Sequence, residues 1–383
     1  APSAAAAYSL RSLTGGDPVV VRVRRSSNNA EQDFTSSGVS SGALTSFVNE
    51  IQTLGTVTNS VGNDGFTLTN KSSTGFTATT DTATGVCGWP YTAESGDKIT
   101  VSFDAVVRSG TPQFIPRKAT ALSGSNLVDV VSDSAISVNS TASYSFEFTY
   151  DSDEAGSLTF SEGDDNADFD ISNFKVTAFK GAGLVETWYD QSGNSNDAVQ
   201  ATAAEQPKIV DAGSLLTAGV TFDGGDSLSV SGEPVITASS SGVYSAFGVQ
   251  TVATSSEAGY LYGNASSSNG SSLYANTATF TLSNKNVVTL DNISRSSGQN
   301  LLSAVYNNGD AGLLVNGAGT MTDAGTYDFS AGSSDFIIGN RNGGSASATF
   351  LTGSINEIVI YNSNQSSNRT ALETEIISHY GIS

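Results

Sequence analysis

The chain has little of the chemistry on which many enzyme sites depend. Its 383 residues include one cysteine, one histidine and one methionine. A single thiol, Cys87, cannot form a disulfide within the chain, which excludes an internal disulfide framework. The only imidazole belongs to His379, near the C-terminal end of the sequence. We therefore expect neither a histidine-based metal site nor a Ser-His-Asp triad.

Positive charge is also scarce, because 16 Lys and Arg stand against 37 Asp and Glu and give a net charge of −21. Duplex binding requires clustered cations to neutralise phosphates, so we expect no nucleic-acid partner. The one basic cluster, Arg22, Arg24 and Arg25, alternates along a strand-like segment and is typical of a solvated or ion-paired face. No apolar run approaches the ~18–20 residues of a membrane helix, so we expect no membrane insertion.

What the sequence does contain is a series of short strands between turn clusters. Alternating or continuously apolar segments predict strands at 19–24, 98–107, 143–150, 169–179 and 355–362. Asn-Gly and Gly-Asn pairs recur between such segments. Many short strands with these turns, and few helical patterns, predict an all-β protein built from antiparallel sandwiches.

Three segments predict helices. Residues 3–13 are rich in alanine, the best helix former, and residues 41–51 form a second candidate. The third begins after an N-cap at Ser366 or Ser367 and ends at Gly381. Apolar side chains recur in it at i, i+4 and i+8, at Leu372, Ile376 and Tyr380.

The domain organisation is predicted to be discontinuous. Residues 55–180 hold several strands and have the ~125-residue size of a compact domain. We interpret them as a domain inserted into a loop of a larger one, which consists of residues 1–54 and 181–383.

Several motifs in the outer domain carry a resemblance to a known fold family. The stretches AAAAYSLRSL, VVVRVRRSSNNAEQDFT and TWYDQSGNSNDAVQATAAEQPKIV occur in that order. They resemble the concanavalin A-like lectin/glucanase sandwiches of phage structural proteins. The stretches LLVNGAG, FIIGN and TGSINEIVIYN, with the terminal HYGI, resemble laminin G-like sandwiches. The resemblance covers roughly residues 1–50 and 183–383, and it implies a concanavalin A-like sandwich.

The insertion is visible in the same comparison. In that family the LTSFV segment leads after a short connection to TWYDQSG, whereas here a long stretch intervenes. The inserted part is similar to carbohydrate-binding jelly rolls in its KITVSFDAVV and FDISNFKV strands. The expected fold is thus an all-β concanavalin A-like sandwich with an inserted jelly-roll-like domain and a few short helices.

The motif YDQSGNSND also resembles the opening of arabinofuranosidase B-type catalytic domains, which share the sandwich. A glycosidase of this type requires two carboxyl groups beside the scissile bond. The resemblance places its nucleophile directly after Tyr262-Gly263-Asn264-Ala265, where this chain has Ser266. It places the acid/base within Gly339-Asn340-Arg341-Asn342, at Arg341. A hydroxyl and a guanidinium cannot replace these carboxyls, and the other acids considered have no suggestive spacing: Asp223, Glu257 and Glu357.

Two groups of side chains are candidates for binding. Asp190, Asn194 and Asp197 offer the oxygen ligands that a structural Ca²⁺ prefers, and no other cofactor is expected. The alternative, which we favour, is that these side chains hold tight turns. Trp89 and Tyr91 are the best candidates for stacking on a glycan, although a role in covering the core is the alternative that we favour. The same two alternatives apply to the pair Trp188 and Tyr189, for which we favour the core.

The sequence therefore favours a non-enzymatic surface protein of a bacteriophage virion: a head decoration, head fibre or tail-fibre component. Such a protein would serve assembly, adhesion or weak glycan binding at the virion surface. Its expected partners are other virion structural proteins and cell-surface glycans, with a homo-oligomer left open. Two alternatives remain: a secreted arabinofuranosidase-type glycoside hydrolase, and a bacterial cell-surface adhesin or extracellular filament subunit.

Overall fold

The computed structural model describes residues 3–52, 54–59, 66–80, 85–91, 98–117, 136–149, 156–162, 167–179, 181–231, 235–237, 242–252, 259–265, 270–284, 288–323, 325, 329, 335–341 and 350–383. The chain forms two compact units. Unit 1 comprises Ala1–Thr45 with Ala182–Ser383, and unit 2 comprises Ser46–Gly181. No helix in the described ranges is long and apolar enough to cross a membrane.

Both units consist largely of short strands, as the turn-rich sequence predicts. In chain order the strands are β1 (Ala6–Ser9), β2 (Val19–Arg25), β3 (Glu31–Thr35), β4 (Asn49–Gln52), β5 (Thr58–Asn59), β6 (Phe66–Thr69), β7 (Phe76–Thr80), β8 (Gly85–Tyr91), β9 (Lys98–Ser109), β10 (Gln113–Arg117), β11 (Ile136–Ser137), β12 (Ala142–Thr149), β13 (Gly156–Glu162), β14 (Asp168–Phe179), β15 (Gly183–Trp188), β16 (Ala198–Val199), β17 (Lys208–Asp211), β18 (Ser214–Leu215), β19 (Val220–Asp223), β20 (Leu228–Val230), β21 (Val243–Val252), β22 (Gly259–Ala265), β23 (Gly270–Ala275), β24 (Thr279–Asn284), β25 (Val288–Ser294), β26 (Gly298–Asn307), β27 (Asp310–Val315), β28 (Met321–Asp323), β29 (Phe336–Ile338) and β30 (Thr352–Tyr361).

The helices are short. In the described ranges they are α1 (Ser36–Ser40), α2 (Ala43–Val48) and α3 (Arg369–Tyr380), with a 3₁₀ turn at Ala203–Glu205. The all-β class is thereby confirmed, and the five strands predicted from alternation correspond to β2, β9, β12, β14 and β30.

Unit 1 is one network of antiparallel strands. One part runs in the order β28-β27-β26-β21-β30, and β30 also pairs with β1 and β19. The other part runs from β15 through β16, β20, β29, β22, β23 and β24 to β25. Strand β17 joins the two parts by pairing with both β15 and β19. The network closes on itself as a barrel-like sandwich.

Unit 2 is a second sandwich of two antiparallel sheets. One has the strand order β11-β10-β13-β8-β5, and the other has the order β12-β9-β14-β7-β6 with β4 added beside β14. Aromatic rings from both sheets meet in its core, as Phe103 of β9 and Phe114 of β10 do at 5.7 Å between centroids. Burial on β9 alternates residue by residue over Lys98–Ala105, which is the period-2 pattern of a strand with one core face.

The prediction of a helix at residues 3–13 is wrong. Ala6, Ala7 and Tyr8 instead form β1 and are completely buried. Ala6 pairs with Ile360 and Tyr8 with Ile358 of β30. Helix propensity amounts to a few tenths of a kcal/mol per residue, and tertiary pairing in a buried sheet overrides it.

The prediction for residues 41–51 is correct only in its first part, because α2 ends at Val48 and β4 follows. Strand β4 pairs with β14, with Gln52 opposite Val176. This pairing explains why the first border between the units falls at Thr45/Ser46 rather than at the expected 54/55. The second border, at Gly181/Ala182, lies one residue from the expected position.

The C-terminal helix is confirmed. Its N-cap is Asn368 rather than Ser366 or Ser367, and Gly381 ends it with a left-handed φ of 64°. The apolar side chains at i, i+4 and i+8 face a buried cluster on the outer side of β21 and β30: Leu372, Ile376 and Tyr380.

Candidate functional site

The loop after β15 is organised by one carboxylate. Asp190 Oδ1 accepts hydrogen bonds from the backbone N–H groups of Ala7 and Ser192, each at 2.8 Å. Asp190 Oδ2 accepts from Ser192 Oγ at 2.6 Å and from the Asn196 N–H at 3.1 Å. Each oxygen thus binds two donors, and the side chain ties its own loop to β1. These are the contacts of a carboxylate that holds a tight turn.

The other two predicted metal ligands have similar roles. Asp197 Oδ1 accepts from the Asp190 N–H at 2.9 Å. Asn194 Nδ2 donates to the carbonyl oxygens of Ala4 at 2.9 Å and Ala5 at 3.1 Å. Within the part of the chain that is described, no group of three or more His, Cys, Asp or Glu side chains is placed to hold a metal ion. Calcium binding by this loop stays a prediction, and a cation there would have to compete with the donors that Asp190 already binds.

Of the two aromatic residues before the loop, Trp188 lies in the core and Tyr189 lies nearer the surface. Trp188 is completely buried, and its ring lies 6.0 Å from that of Tyr8. Tyr189 donates its hydroxyl to Asp33 Oδ1 at 2.8 Å, and burial followed by this hydrogen bond raises the pKa of Tyr189 to about 12. Asp33 also pairs with Arg22 at 2.7 Å, and Glu31 pairs with Arg24 at 2.8 Å, so these two arginines of the basic cluster are ion-paired.

Trp89 and Tyr91 have the core role that we favour, and the candidate glycan platform at these two residues is wrong. Trp89 is 0% exposed and Tyr91 is 4% exposed, so neither ring presents an open face. Trp89 stacks on Phe174 at 4.1 Å between centroids, and its Nε1 donates to the Ser72 carbonyl at 3.3 Å. Sugars stack on exposed aromatic faces, whereas these two side chains fill the core of unit 2.

The two segments that the resemblance aligned with glycosidase carboxyls do lie together. Strand β22 pairs with β29, with Gly263 opposite Ile337. A Cβ added to Gly263 would lie 2.6 Å from Cα of Arg341, three residues after β29. The Arg341 guanidinium carbon lies 5.5 Å from the centroid of the Tyr260 ring, in cation–π geometry. Ser266, Thr349 and Glu257 lie outside the described residues.

A carboxyl pair that the sequence analysis did not identify stands near this place. Asp226 is buried, and its Oδ2 accepts from the Asp223 N–H at 3.0 Å in the turn between β19 and β20. Burial, with Asp223 beside it, raises the pKa of Asp226 to about 7. Asp226 thus bonds the backbone of Asp223 within one turn, unlike the carboxyls ~5–9.5 Å apart that flank the scissile bond in a glycosidase. The Asp-Gly-Gly-Asp spacing between two strands was the only signal for it.

Unit 1 has a polar depression of about 540 Å³ beside the Asp190 loop. Asn194, Asn196, Thr237 and Asn362 contribute amide and hydroxyl groups to its wall. Asn362 Nδ2 donates to the Val235 carbonyl at 2.9 Å, which fixes the amide in place. We refer to this depression as the amide groove.

Unit 2 has a smaller polar cavity, of about 310 Å³, beside β7 and β14. Asn70 Nδ2 donates to Thr77 Oγ1 at 3.2 Å, and Asp170 accepts from the Arg108 guanidinium at 2.7 Å. Asn70 and Asp170, which line this cavity, are thus bonded within the protein.

No family model and no curated protein matches the sequence. Among solved structures, a GH54 α-L-arabinofuranosidase soaked with a cyclic sulfate inhibitor is 12% identical, with a TM-score of 0.38, over 72% of this chain and 62% of that chain. Trypanosoma rangeli sialidase in complex with sialic acid is 12% identical, with a TM-score of 0.36, over 79% of this chain and 60% of that one. NanB sialidase from Streptococcus pneumoniae is 14% identical, with a TM-score of 0.32, over 40% of this chain and 26% of that one. The chain spans less than two thirds of each, and similarity at this level carries no argument about activity.

Proposed function

We propose that this protein is a non-enzymatic surface protein of a virion that serves assembly or adhesion and makes weak contacts with glycans. The observation that supports it most is the position of Arg341 against Gly263. The segments that resemble the two catalytic stretches of arabinofuranosidases are neighbours here, yet the acid/base position holds a guanidinium.

The chemistry of Arg341 explains why this matters. A guanidinium remains protonated at any physiological pH, so it cannot deliver a proton to a leaving group. Its attraction to the Tyr260 ring stabilises it in place as a cation. Two of the other acids considered are also bonded within the protein, because Glu357 pairs with Arg11 at 2.7 Å and Asp223 shares a turn with Asp226.

Glycan contact is assigned to the amide groove. The amide nitrogens of Asn194 and Asn362 already donate to backbone carbonyls, so contact with sugar hydroxyls falls to the amide oxygens and the Thr237 hydroxyl. Among the described residues that line the groove there is no aromatic side chain, so we expect no stacking from them and weak affinity. A weak contact of this kind gains strength when many copies of a surface protein act together.

The virion surface and the other virion proteins as partners are proposed from the sequence resemblance to phage structural proteins. Immunogold labelling of purified virions and of cell envelopes is the direct test. Label on virions supports the proposal, and label confined to envelopes would instead identify a bacterial adhesin or filament subunit.

The absence of catalysis and the glycan contact each have a separate test. Turnover of an aryl arabinofuranoside that is abolished by substituting a single acid would overturn the non-enzymatic proposal. On a glycan array, the unmodified protein is expected to give weak signals that Thr237→Arg removes. Thr374→Arg, which adds the same charge at an exposed position on α3, is the matched control and should bind normally. No signal for the unmodified protein would remove glycan contact from the proposal.

A further inference from the structure

Unit 1 contains a cavity of about 290 Å³ that shares no lining residue with the amide groove. It lies between α3 and the outer face of β21 and β30, and residues 11–15 close one side. Its apolar wall is formed by Leu13, Phe247, Val359, Leu372 and Ile376.

The other end of the cavity is polar and bears a net negative charge. Glu357 is 1% exposed and Glu375 stands at the surface, with the Arg11 guanidinium between them. Arg11 donates to Glu357 through Nε at 2.7 Å and through Nη2 at 3.1 Å, and to Glu375 through Nη1 at 2.5 Å. Two carboxylates against one guanidinium leave one negative charge at this end.

One acceptor at the cavity is unused. The Oγ atom of Ser12 is buried and has no hydrogen-bond partner within the described part of the chain. A buried hydroxyl without a partner loses the free energy of its hydration and regains it when a ligand supplies a hydrogen bond. Ser12 lines the same cavity as the two carboxylates.

From this geometry we propose that the cavity under α3 binds a small primary amine with an apolar body. The apolar part contacts Phe247, Val359 and Ile376, and the ammonium group donates to Glu375 and Ser12 Oγ. Glu357, whose oxygens already accept from Arg11 and two hydroxyls, contributes its charge. A carboxylate ligand is repelled by the net negative charge, and a neutral alcohol gains hydrogen bonds without the charge. A ~150 Å³ cavity holds a benzene ring, so 290 Å³ accommodates a ring with a short chain.

The test uses three ligands of one shape: 2-phenylethylamine, 2-phenylethanol and 3-phenylpropionate. Titration calorimetry or ligand-observed NMR on the full chain is expected to give saturable amine binding with a Kd of ~0.1–1 mM. The alcohol is expected to bind about tenfold more weakly, the cost of one charge-assisted hydrogen bond, and the carboxylate not at all. Equal binding of amine and carboxylate, or no saturable amine binding, would overturn the proposal.

Two variants locate the site. Leu372→Trp fills the cavity and is expected to abolish binding, while Ser378→Trp on the exposed side of the same helix leaves it unchanged. Glu375→Gln removes a charge from a side chain that is 58% exposed, so it does not depend on repacking. It is expected to weaken amine binding about tenfold and to leave alcohol binding unchanged. Unaltered amine binding in both Leu372→Trp and Glu375→Gln would place the amine elsewhere and refute the assignment.

Discussion

Trp89 of β8 and Phe174 of β14 stack across the core of unit 2, with ring centroids 4.1 Å apart and ring planes 19° apart. The two strands belong to opposite sheets, so the pair joins the layers of the sandwich. Phe174 also lies 5.8 Å from Phe103 of β9, and both Phe174 and Trp89 are almost completely buried. The stack explains why a tryptophan that looked suited to a sugar is a structural residue.

The first prediction concerns this stack. Phe174→Ala is expected to destabilise unit 2 by about 3–5 kcal/mol, because it removes a buried ring and leaves a cavity against Trp89. Urea unfolding followed by fluorescence in a Trp188→Phe background reports Trp89 alone, since the chain has two tryptophans. Lys175→Ala, at the exposed neighbouring position, is the control and should change stability little. A loss below about 1 kcal/mol for Phe174→Ala would contradict the packing described.

The second prediction concerns the loop after β15. Asp190→Asn keeps the size of the side chain but replaces one acceptor oxygen by an amide nitrogen, which faces two donors. We expect a loss of about 2–3 kcal/mol, since hydrogen bonds to a charged group are lost and the remaining donors face no acceptor. The fluorescence of Trp188, two residues away, follows the urea transition. Asp197→Asn, which affects one hydrogen bond, should cost about 1 kcal/mol.

The same measurement addresses calcium. If the loop holds a Ca²⁺, excess Ca²⁺ raises the urea midpoint relative to EDTA, and Asp190→Asn removes the difference. If the loop binds no Ca²⁺ and Asp190 is held only by its four hydrogen-bond donors, the urea midpoints in Ca²⁺ and in EDTA coincide, and only the substitution shifts them.

The third prediction is a pH dependence. The pKa of Asp226 is raised to about 7 in the fold by burial, against about 3.9 for an unfolded aspartate. Between these values the folded state holds a proton that the unfolded state has released. The contribution of Asp226 to stability is therefore fully present below about pH 4 and is lost as the pH rises through about 7.

Urea midpoints between pH 4 and pH 8 test this sign. We expect Asp226→Asn to remove part of the decline in stability with rising pH, because the amide does not titrate. The exposed Asp310→Asn is the control and should leave the slope as it is. A slope that is identical in Asp226→Asn and the unmodified protein would show that Asp226 does not carry the proton.

Local patterns predicted much of the fold. Period-2 alternation located β9 and β14, and the spacing of Leu372 and Ile376 located α3. The failure at β1 has a physical reason: alanine runs favour helices only where no partner strand competes, and the residues of β30 that pair with β1 lie 348 residues or more away in the sequence. Which strands pair across that distance is not contained in any local window.

The candidate sites also differ in whether their residues are close together in the sequence or only in the fold. The turn role of Asp190 is local, since three of its four donors lie within six residues, and the sequence indicated it. The cavity under α3 combines residues 11–15 with β21, β30 and α3, so only the folded chain brings its lining together. For Trp89 the sequence shows that an aromatic ring is present, but only the packing of unit 2 decides whether the face of that ring is exposed to solvent.

The last prediction concerns the ion pair at that cavity. Glu357 lies on β30 with its side chain 2% exposed, and its Oε2 accepts from Arg11 Nε, from the Tyr380 hydroxyl at 3.0 Å and from Ser9 Oγ at 3.1 Å. Burial opposes the charge of Arg11, but its hydrogen bonds to Glu357 and Glu375 outweigh this and raise the pKa of the guanidinium. Glu357→Met alone leaves Arg11 partly buried without its main partner, and we expect a loss of about 3–5 kcal/mol.

The double variant Arg11→Met/Glu357→Met should be more stable than Glu357→Met alone. It buries two apolar chains of similar length, and the Ser9 and Tyr380 hydroxyls, 3.3 Å apart, can still bond each other. Urea unfolding of the two single variants and the double variant forms a double-mutant cycle. A coupling energy of about 1.5 kcal/mol or more is expected for a pair this buried, whereas a value near zero would mean that the two charges are stabilised independently.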